Sequence, residues 1–429
     1  MAHICFIDSS ATGLNALTTA ERLGHQVTLI VPEDLSLLTM MKMPMSKLGA
    51  FLGDRGKIHH IANAESGLEA TIAKIHEEQP IDAILTTSEL AVIPTAEMAR
   101  TFHTRYDDPE ALAKAVYKSR CREVLAEHGI RSTRFAKASD FDSAQRALRT
   151  VGFPAVIKPT RGVAKEASAI VRDEADLRRF FDAASASTRV SPGMERFVSS
   201  EFVVESYIDG PLYSAEILAV EGRVHLLTTA RRERAVHDPL IEVAAAMPSG
   251  LSTTVQAETK DYLQSVFNAV GLKVGIYHVE FILGSEGPVL VEINPRMMGG
   301  IAPILFEQLT GMDPYELLIN LHLEAVEPDR MPVFDNGGGA VIAVGAPEGG
   351  RMPDDAEERV TALLSNYQIT KNTLAISSGK TLPRFQGNFS ILGFLALRAP
   401  DGAEALRCTS ELLERLEHYL DMKIARISV

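Results

Sequence analysis

The chain has 429 residues and a formal net charge of −13, with 56 acidic against 43 basic side chains. This length predicts two to four lobes, and the acidic balance argues against nonspecific binding to nucleic acid, which needs a basic surface. No apolar run approaches the roughly 18 residues that cross a bilayer, so we expect no membrane protein. The stretch MAHICFIDSS shows neither the basic segment nor the cleavage site of a secretory signal, so we expect a cytoplasmic location.

The first hundred residues alternate between strand and helix patterns. HICFID is followed by the helix-spaced LNALTTAERLG and the strand-like HQVTLIV, and the pattern repeats through IDAILTTSE. This order predicts a small doubly wound, Rossmann-like α/β domain. SSATGLNA holds one glycine where a dinucleotide loop has three, so we interpret the domain as scaffold or substrate wall.

The remaining chain predicts an α+β organisation. Residues 108–129 form one strongly helical stretch, and a compact unit with the strands FPAVIKP, ASAIV and EFVVES has the size of a lid. Four later strands joined mostly by short turns predict an antiparallel sheet. The fold class is therefore α/β and α+β multidomain, with these predicted units: an N-terminal domain (1–105), a linking helix region (106–135), a lid-sized unit (136–204), an antiparallel sheet unit (205–325) and a C-terminal α+β subdomain (326–429).

Two neighbouring strands end in acidic side chains. Alternation places His278 and Glu280 on one face of GIYHVEFIL, and Glu292, Asn294 and Arg296 share a parity in VEINPR. Two carboxylates and an amide oxygen suit Mg²⁺, with Mn²⁺ as a second choice, when the ion also holds substrate phosphates. The alternative is a solvated surface pair, although like charges on facing strands destabilise a sheet unless a cation lies between them.

A lysine interrupts the apolar strand FPAVIKP. Lys158 needs an anionic partner if it is buried, and a nucleotide phosphate would supply one. The polar loop TRGVAKEAS follows, and its Arg161 and Lys165 suit a loop that folds over phosphates. The alternative is a lysine that reaches solvent from the end of its strand.

The segment VVESYIDGPLYSAEI connects the predicted lid to the predicted sheet. A flat adenine could lie at such a connection and hydrogen-bond with its backbone, although an ordinary hairpin explains the local pattern equally well.

Together these segments resemble the ATP-grasp carboxylate–amine ligases. The Lys118 helix, VIKP, VVESYIDG, HVEF and VEINPR follow the order and spacing of that family over roughly residues 100–310. The resemblance implies an ATP-grasp fold with a pre-ATP-grasp N-terminal domain, a mobile lid and a mainly antiparallel catalytic sheet. It also implies ATP and Mg²⁺ as cofactors.

The resemblance assigns roles to individual residues. It implies the following nucleotide and metal contacts: Lys118 and Lys158 on phosphates, Ser168 in the phosphate loop, Glu205, Tyr207 and Ile208 at adenine, Glu216 near ribose or metal, and Glu280, Glu292 and Asn294 on magnesium. Arg296 matches the arginine that steadies the acyl phosphate and tetrahedral intermediate. His278 could deprotonate the amine or orient a carboxylate, although a structural histidine is the commoner case. One departure is that the phosphate loop carries a single glycine, Gly162.

The segment RRERAVHDPLIEVAAAMPSGL resembles the acceptor region of L-amino-acid ligases. That likeness places Arg231 and Glu242 toward substrate, with Gly299 and Gly300 bordering it. We therefore expect ATP-dependent amide formation between an amino acid or small carboxylic acid and an amine, through an acyl phosphate. The alternatives are a biotin-carboxylase-like or purine-pathway enzyme, or a non-catalytic ATP-binding protein. The expected partners are small molecules, and a homodimer is a further expectation.

Overall fold

The N-terminal lobe is built on a parallel sheet. The computed structural model describes residues 1–53, 56–162, 167–185, 198–387 and 390–428. The four strands lie in the order β3-β2-β1-β4, which confirms the predicted doubly wound topology. The strands are β1 (His3–Ile7), β2 (Gln26–Pro32), β3 (Lys57–Ile61) and β4 (Ala83–Leu85). The helices are α1 (Asn15–Arg22), α2 (Leu37–Met40), α3 (Met45–Gly49), α4 (Ala64–Glu78) and α5 (Val92–Thr101), with a 3₁₀ turn at Glu89–Ala91.

Two helices connect this lobe to the rest of the chain. They are α6 (Pro109–Val116) and α7 (Lys118–Glu127), so the helical stretch predicted at residues 108–129 consists of two helices. Tyr117 has an extended ψ of 103°, and the backbone N–H of Lys118 donates to the carbonyl of Thr160, at 2.8 Å, instead of to a helical carbonyl. The break places Lys118 at the start of α7, beside the strand that carries Lys158.

The lid is a four-stranded antiparallel sheet with strand order β5-β8-β6-β7. Its strands are β5 (Phe135–Ala138), β6 (Ala155–Pro159), β7 (Ala169–Val171) and β8 (Phe202–Ser206), with helices α8 (Phe141–Val151) and α9 (Glu174–Ser185). Leu148, Ile157 and Phe180 lie in one buried cluster that joins α8 and α9 to the sheet. Packing of one apolar helix face against a sheet is what holds so small a unit together.

The large sheet has eight strands, in the order β13-β12-β9-β10-β11-β14-β18-β16, and all its pairs are antiparallel. This confirms the antiparallel prediction. Its strands are β9 (Leu212–Val220), β10 (Arg223–Arg234), β11 (Glu242–Met247), β12 (Gly275–Gly284), β13 (Gly287–Asn294), β14 (Gly338–Val344), β16 (Ile369–Asn372) and β18 (Gly393–Ala399). Because β14, β16 and β18 continue the sheet, no break in it occurs at the predicted 325/326 boundary.

Helices cover the large sheet on both faces. They are α10 (Thr253–Val270), α11 (Ala302–Thr310), α12 (Pro314–His322), α13 (Ala356–Leu364) and α14 (Gly402–Leu420), and β15 (Gly350–Arg351) pairs with β17 (Thr381–Leu382). In β14, Ile342 packs toward α14, whereas Val341 and Ala343 face a cavity of about 350 Å³ on the other side. We call this space the central cavity; the lid, α7 and the large sheet border it. Over the described ranges, no helix combines the length and apolar character needed to span a bilayer.

Candidate active site

Glu280 and Glu292 are direct cross-strand neighbours in the large sheet. The antiparallel register of β12 and β13 pairs Glu280 with Glu292 and His278 with Asn294, and all four residues line the central cavity. The register shifts only after Glu280, so the alternation assumed from the sequence applies up to this residue. Two like charges on facing strands need positive charge close by.

Lys118 and Arg232 supply that positive charge. The Nζ atom of Lys118 lies 3.2 Å from Oε2 of Glu292, and Nη2 of Arg232 lies 3.9 Å from Oε1 of Glu280. Burial by itself would lower the pKa of Lys118, but the carboxylates of Glu292, Glu89 and Glu205 together outweigh burial and raise this pKa above its ordinary value. Lys118 therefore carries its charge at neutral pH.

The donor set of this pair fits a divalent ion that arrives with phosphate. Within the described residues, no group of three or more histidine, cysteine, aspartate and glutamate side chains is arranged to hold a metal. Glu280 and Glu292 supply two carboxylates, and Nδ2 of Asn294 lies 3.3 Å from Oε1 of Glu292. Mg²⁺ is usually bound through one or two carboxylates plus substrate phosphates and water, so three protein ligands are sufficient. The metal assignment of these residues stays a prediction.

Glu205 forms a buried charge cluster with two basic side chains. It accepts from Nε of Arg122 and from Nζ of Lys158, both at 2.8 Å. Burial would raise the pKa of Glu205, but Arg122 and Lys158 outweigh it and lower this pKa to about 2. The pKa of Lys158 is lowered, because burial outweighs the attraction of Glu205. Two cations against one carboxylate leave a surplus positive charge on the cavity wall, where Arg122, Lys158 and Glu205 all lie.

The connection between lid and large sheet lies on the cavity wall. Tyr207 and Ile208 line the cavity, and the backbone N–H of Tyr207 donates to the carbonyl of Pro154 at 3.0 Å. The chain then turns at Gly210, where φ is +149° and a Cβ would lie 2.6 Å from the carbonyl oxygen of Leu283. Only glycine fits this turn. The geometry is compatible with the predicted adenine contacts of Tyr207 and Ile208, which stay predictions.

The predicted phosphate loop is described only at its two ends. Gly162 and Ser168 line the central cavity. Nη1 of Arg161 lies 3.4 Å from the hydroxyl of Tyr117, and its guanidinium stacks over that ring at 5.6 Å. Lys165 lies outside the described residues.

His278 connects Glu280 to Glu216. Nδ1 of His278 lies 2.6 Å from Oε1 of Glu216, and Nε2 lies 3.6 Å from Oε1 of Glu280. The other oxygen of Glu216 accepts from the backbone N–H of Met298 at 3.1 Å. Burial by itself would lower the pKa of His278, but Glu216 and Glu280 outweigh burial and raise it.

The predicted ribose or metal contact of Glu216 needs correction. Among the described residues that line the cavity, His278 is included and Glu216 is not. The register of β9 and β12 places Glu216 opposite His278, and its carboxylate is used by the imidazole and by the backbone of Met298. Glu216 therefore orients the His278 imidazole and does not itself line the cavity.

The position of Arg231 does not support its predicted substrate contact, because Arg231 is not among the described residues that line the central cavity. Arg231 donates through Nε to Glu233 at 2.8 Å and stacks over the Tyr213 ring at 5.4 Å, on the face of β10 away from the cavity. Because side chains alternate along a strand, its neighbour Arg232 faces the cavity, where it pairs with Glu242. Glu242 lines the cavity, as the predicted substrate role requires.

Arg296 also lines the central cavity, and it forms an ion pair with Glu89. Its Nε and Nη2 atoms lie 3.1 and 2.9 Å from Oε2 of Glu89, and Nη1 donates to the carbonyl of Met297 at 3.0 Å. Burial would lower the pKa of Arg296, but the carboxylates of Glu89, Glu292 and Glu216 together outweigh burial and raise this pKa. Gly299 and Gly300, the predicted substrate neighbours, also line the cavity.

Sequence reasoning missed three cavity residues: Glu89, Arg122 and Arg232. Arg122 follows Lys118 by one helical turn, so an i,i+4 spacing placed both on one face of α7 and could have revealed it. Strand alternation could have selected Arg232 over Arg231. Glu89 had no comparable local signal, because its partner Arg296 lies 207 positions later.

Comparison with known proteins supports the interpretation of this geometry. Residues 151–303 match the family model described as "ATP-grasp domain". An uncharacterized protein, y4rH, of Sinorhizobium fredii is 26% identical over 245 residues, which cover 57% of this chain and 48% of that protein. The formate-dependent phosphoribosylglycinamide formyltransferase of a Synechococcus strain is 27% identical over 256 residues, 58% of each chain. The chain thus spans about half the length of the curated relatives it matches.

A solved structure matches over the full length. The L-amino acid ligase from Bacillus licheniformis superposes with a TM-score of 0.75 at 18% identity, covering 100% of this chain and 99% of that one. Residues 151–303 therefore form an ATP-grasp domain, and the chain has the ATP-grasp fold. This confirms the resemblance drawn from the sequence.

Proposed function

We propose that this protein is an ATP-dependent carboxylate–amine ligase that joins an amino acid or small carboxylic acid to an amine and releases ADP and phosphate. The observation that carries the proposal is the paired carboxylates Glu280 and Glu292, in direct register beside Lys118 and on the same cavity wall as Arg296. This combination suits a triphosphate, its metal ion and a reacting carboxylate in one space. The ATP-grasp domain at residues 151–303 and the full-length fold likeness to an L-amino acid ligase support it.

The nucleotide lies at the lid side of the cavity in this proposal. Lys118 and Lys158 hold its phosphates, Ser168 contributes a hydroxyl from the phosphate loop, and Tyr207 and Ile208 contact adenine. The surplus positive charge of the Arg122, Lys158 and Glu205 cluster attracts the triphosphate. When phosphates arrive, Lys118 can exchange its contact with Glu292 for a phosphate oxygen, which leaves Glu292 to a metal ion.

Glu280, Glu292 and Asn294 would hold Mg²⁺ or Mn²⁺. When bound, the ion neutralises charge on the terminal phosphates and lowers the barrier to attack. His278 is a positioning residue here, because its ring nitrogens face Glu216 and Glu280 and hold the Glu280 carboxylate in place. The hypothesis that His278 deprotonates the amine has less support, since both nitrogens face carboxylates.

The proposed reaction has two steps. A substrate carboxylate oxygen attacks the γ-phosphorus, an O–P bond forms, and the bond to the β-phosphate oxygen breaks to release ADP. The amine then attacks the carbonyl carbon, a C–N bond forms, phosphate leaves, and the amine loses a proton. Arg296 binds the developing negative charge on the acyl group, which is the kind of contact that lowers the barrier of acyl transfer.

A matrix of paired amino acids and small carboxylic acids with ATP and Mg²⁺ tests the proposal. We expect ADP, phosphate and a product whose mass equals the two substrates minus water. Glu292→Gln should lose this activity, and Glu358→Gln, at an exposed site on α13, should keep it. Release of AMP would contradict the acyl phosphate, and ATP binding without turnover over the whole matrix would favour the non-catalytic alternative.

A second candidate is activation of a one-carbon acid. The relative that is 27% identical carries formate dependence in its name, which makes formate a reasonable acid for this site. ADP release that requires formate or bicarbonate, and no amino acid, would select this candidate. The cytoplasmic location, the homodimer and the absence of nucleic-acid or membrane partners stay predictions.

A further inference from the structure

Glu89 and Arg296 form an ion pair between two lobes. Glu89 begins the 3₁₀ turn after β4 of the N-terminal lobe, and Arg296 follows β13 of the large sheet. Both side chains line the central cavity, and their exposed fractions are similar, 21% and 23%. One oxygen of Glu89 receives two nitrogens of Arg296, Nε and Nη2. The N-terminal lobe thus contributes an acidic side chain to a site whose other charged groups come from elsewhere.

The contacts of the guanidinium define its orientation. An arginine has five N–H groups, and Glu89 and the carbonyl of Met297 use three of them. Because Nε and Nη2 form one edge of the guanidinium plane, the contact with Glu89 fixes that edge. The remaining N–H groups, one on Nη1 and one on Nη2, can bind ligand oxygens.

We propose that Glu89 is a positioning residue that holds the guanidinium of Arg296 with its remaining N–H groups toward the reacting acyl group. Glu89 acts through Arg296 and does not itself contact the substrate. This inference rests on the proposed function, because it assigns Glu89 a part in acyl transfer. It also gives the N-terminal lobe a role in the chemistry beyond forming a wall.

Lys118 provides the main competing explanation. Glu89 and Lys118 line the same small space beside Glu292, and the charge of Glu89 helps to raise the pKa of Lys118. If Glu89 acted mainly on Lys118, its removal would weaken ATP binding. If Glu89 acts on Arg296, its removal should lower kcat and leave the KM for ATP nearly unchanged.

Glu89→Gln is the test variant, because it keeps the side-chain shape and removes the charge. We expect kcat to fall by about 10- to 100-fold, the range found when a residue that orients a functional group is removed. The KM for ATP should stay within about two-fold. Glu89→Asp, which keeps the charge on a shorter side chain, should recover part of the loss. Glu97→Gln, at an exposed position on α5, is the matched control and should leave kcat unchanged.

A double variant supplies the decisive measurement. If Glu89 acts through Arg296, then Glu89→Gln combined with Arg296→Lys should be no slower than Arg296→Lys alone, because the second change removes what the first one positions. If the kcat losses of the two single variants multiply in the double variant, the inference is overturned. A raised KM for the amine at unchanged kcat would also overturn it, because it would show that Glu89 contacts the substrate directly. A wild-type protein that forms no ADP with any acid would overturn the proposed function as well. An active wild type with an unaffected Glu89→Gln variant would overturn this inference alone.

Discussion

The charged side chains at the two ends of the central cavity differ in how deeply they are buried. At the lid end, Glu205 and Arg122 are almost fully buried, with side-chain exposures of 7% and 2%. At the opposite end, Arg296 and Glu89 keep 23% and 21% of their side-chain surface exposed. Each charged side chain of the lid-end cluster needs an oppositely charged partner within the cluster, because a buried charge without a partner is costly. The partly exposed pair retains access to solvent and to ligands.

This difference in burial predicts that variants at the lid end lose folding stability, whereas variants at the opposite end lose turnover. Changes in the buried cluster should mainly alter folding stability, since removing one member of a buried pair leaves the others uncompensated. Changes at the partly exposed pairs should mainly alter kinetics, since solvent partly screens the charge that is left behind. The following variants test that division.

Glu205→Gln should give the largest loss of stability. We expect the free energy of unfolding to fall by about 3–5 kcal/mol, because Arg122 and Lys158 lose a shared buried anion. Urea denaturation at pH 7 measures the loss, with the exposed Glu358→Gln as the control.

The pH dependence of the same variant checks its cause. The folded-state pKa of Glu205 is lowered from 4.5 to about 2, so its contribution is complete above pH 4.5 and is lost as the pH falls toward 2. The stability difference between wild type and variant should shrink over that window. A difference that stays constant with pH would show that the carboxylate charge is not its source.

Arg296→Lys should give the largest loss of turnover. We expect kcat to fall by about 10²- to 10³-fold, because an ammonium cannot make the planar two-point contact of a guanidinium. The free energy of unfolding should change by less than about 1 kcal/mol at this partly exposed pair. Arg359→Lys, on the surface of α13, provides the matched control. Near-wild-type amide formation by Arg296→Lys would remove Arg296 from the mechanism.

His322 is a buried titratable side chain that belongs to neither charge cluster. Burial, with smaller opposing help from a hydrogen bond to the Arg105 carbonyl, lowers its pKa from 6.5 to about 4. Its neutral form therefore stabilises the fold fully above pH 6.5, and this contribution is lost as the pH falls toward 4. Between pH 7 and pH 5 the loss should be roughly 2 kcal/mol. His322→Gln should remove this slope, and exposed His128→Gln should retain it; equal slopes in all three proteins would contradict the assignment.

The smallest expected effect is on kcat/KM, in a comparison of variants at the neighbouring positions Arg232 and Arg231. Arg232→Met should lower kcat/KM for the amine substrate by about ten-fold, because it removes the guanidinium between Glu242 and Glu280. Arg231→Met, on the opposite face of β10, should leave this ratio within about two-fold. The reverse result would show that the acceptor side of the cavity was assigned to the wrong face.

Sequence patterns predicted the site where it depends on local geometry. Alternation along two neighbouring strands was enough to predict that Glu280 and Glu292 act together, but it did not predict their direct pairing. The regular register of the two-residue turn would put Glu280 opposite Val291, and a register shift after Glu280 brings it opposite Glu292. The helical pattern of residues 108–129 could not reveal the break at Tyr117, since the carbonyl that receives the Lys118 N–H belongs to Thr160 in the lid. Glu89 was missed for a similar reason: its partner comes from another lobe. Arg231 was chosen by family resemblance, and the alternation that favours Arg232 was not applied.

Strand β14 is shared between two environments. Its Val341 and Ala343 form part of the cavity wall, whereas Ile342 between them packs into the core beneath α14. A change of volume under α14 therefore moves the backbone that carries the wall residues, because close-packed interiors transmit strain. Variation in the C-terminal helix thus offers a route to altered substrate preference that leaves every ligand-contacting side chain intact.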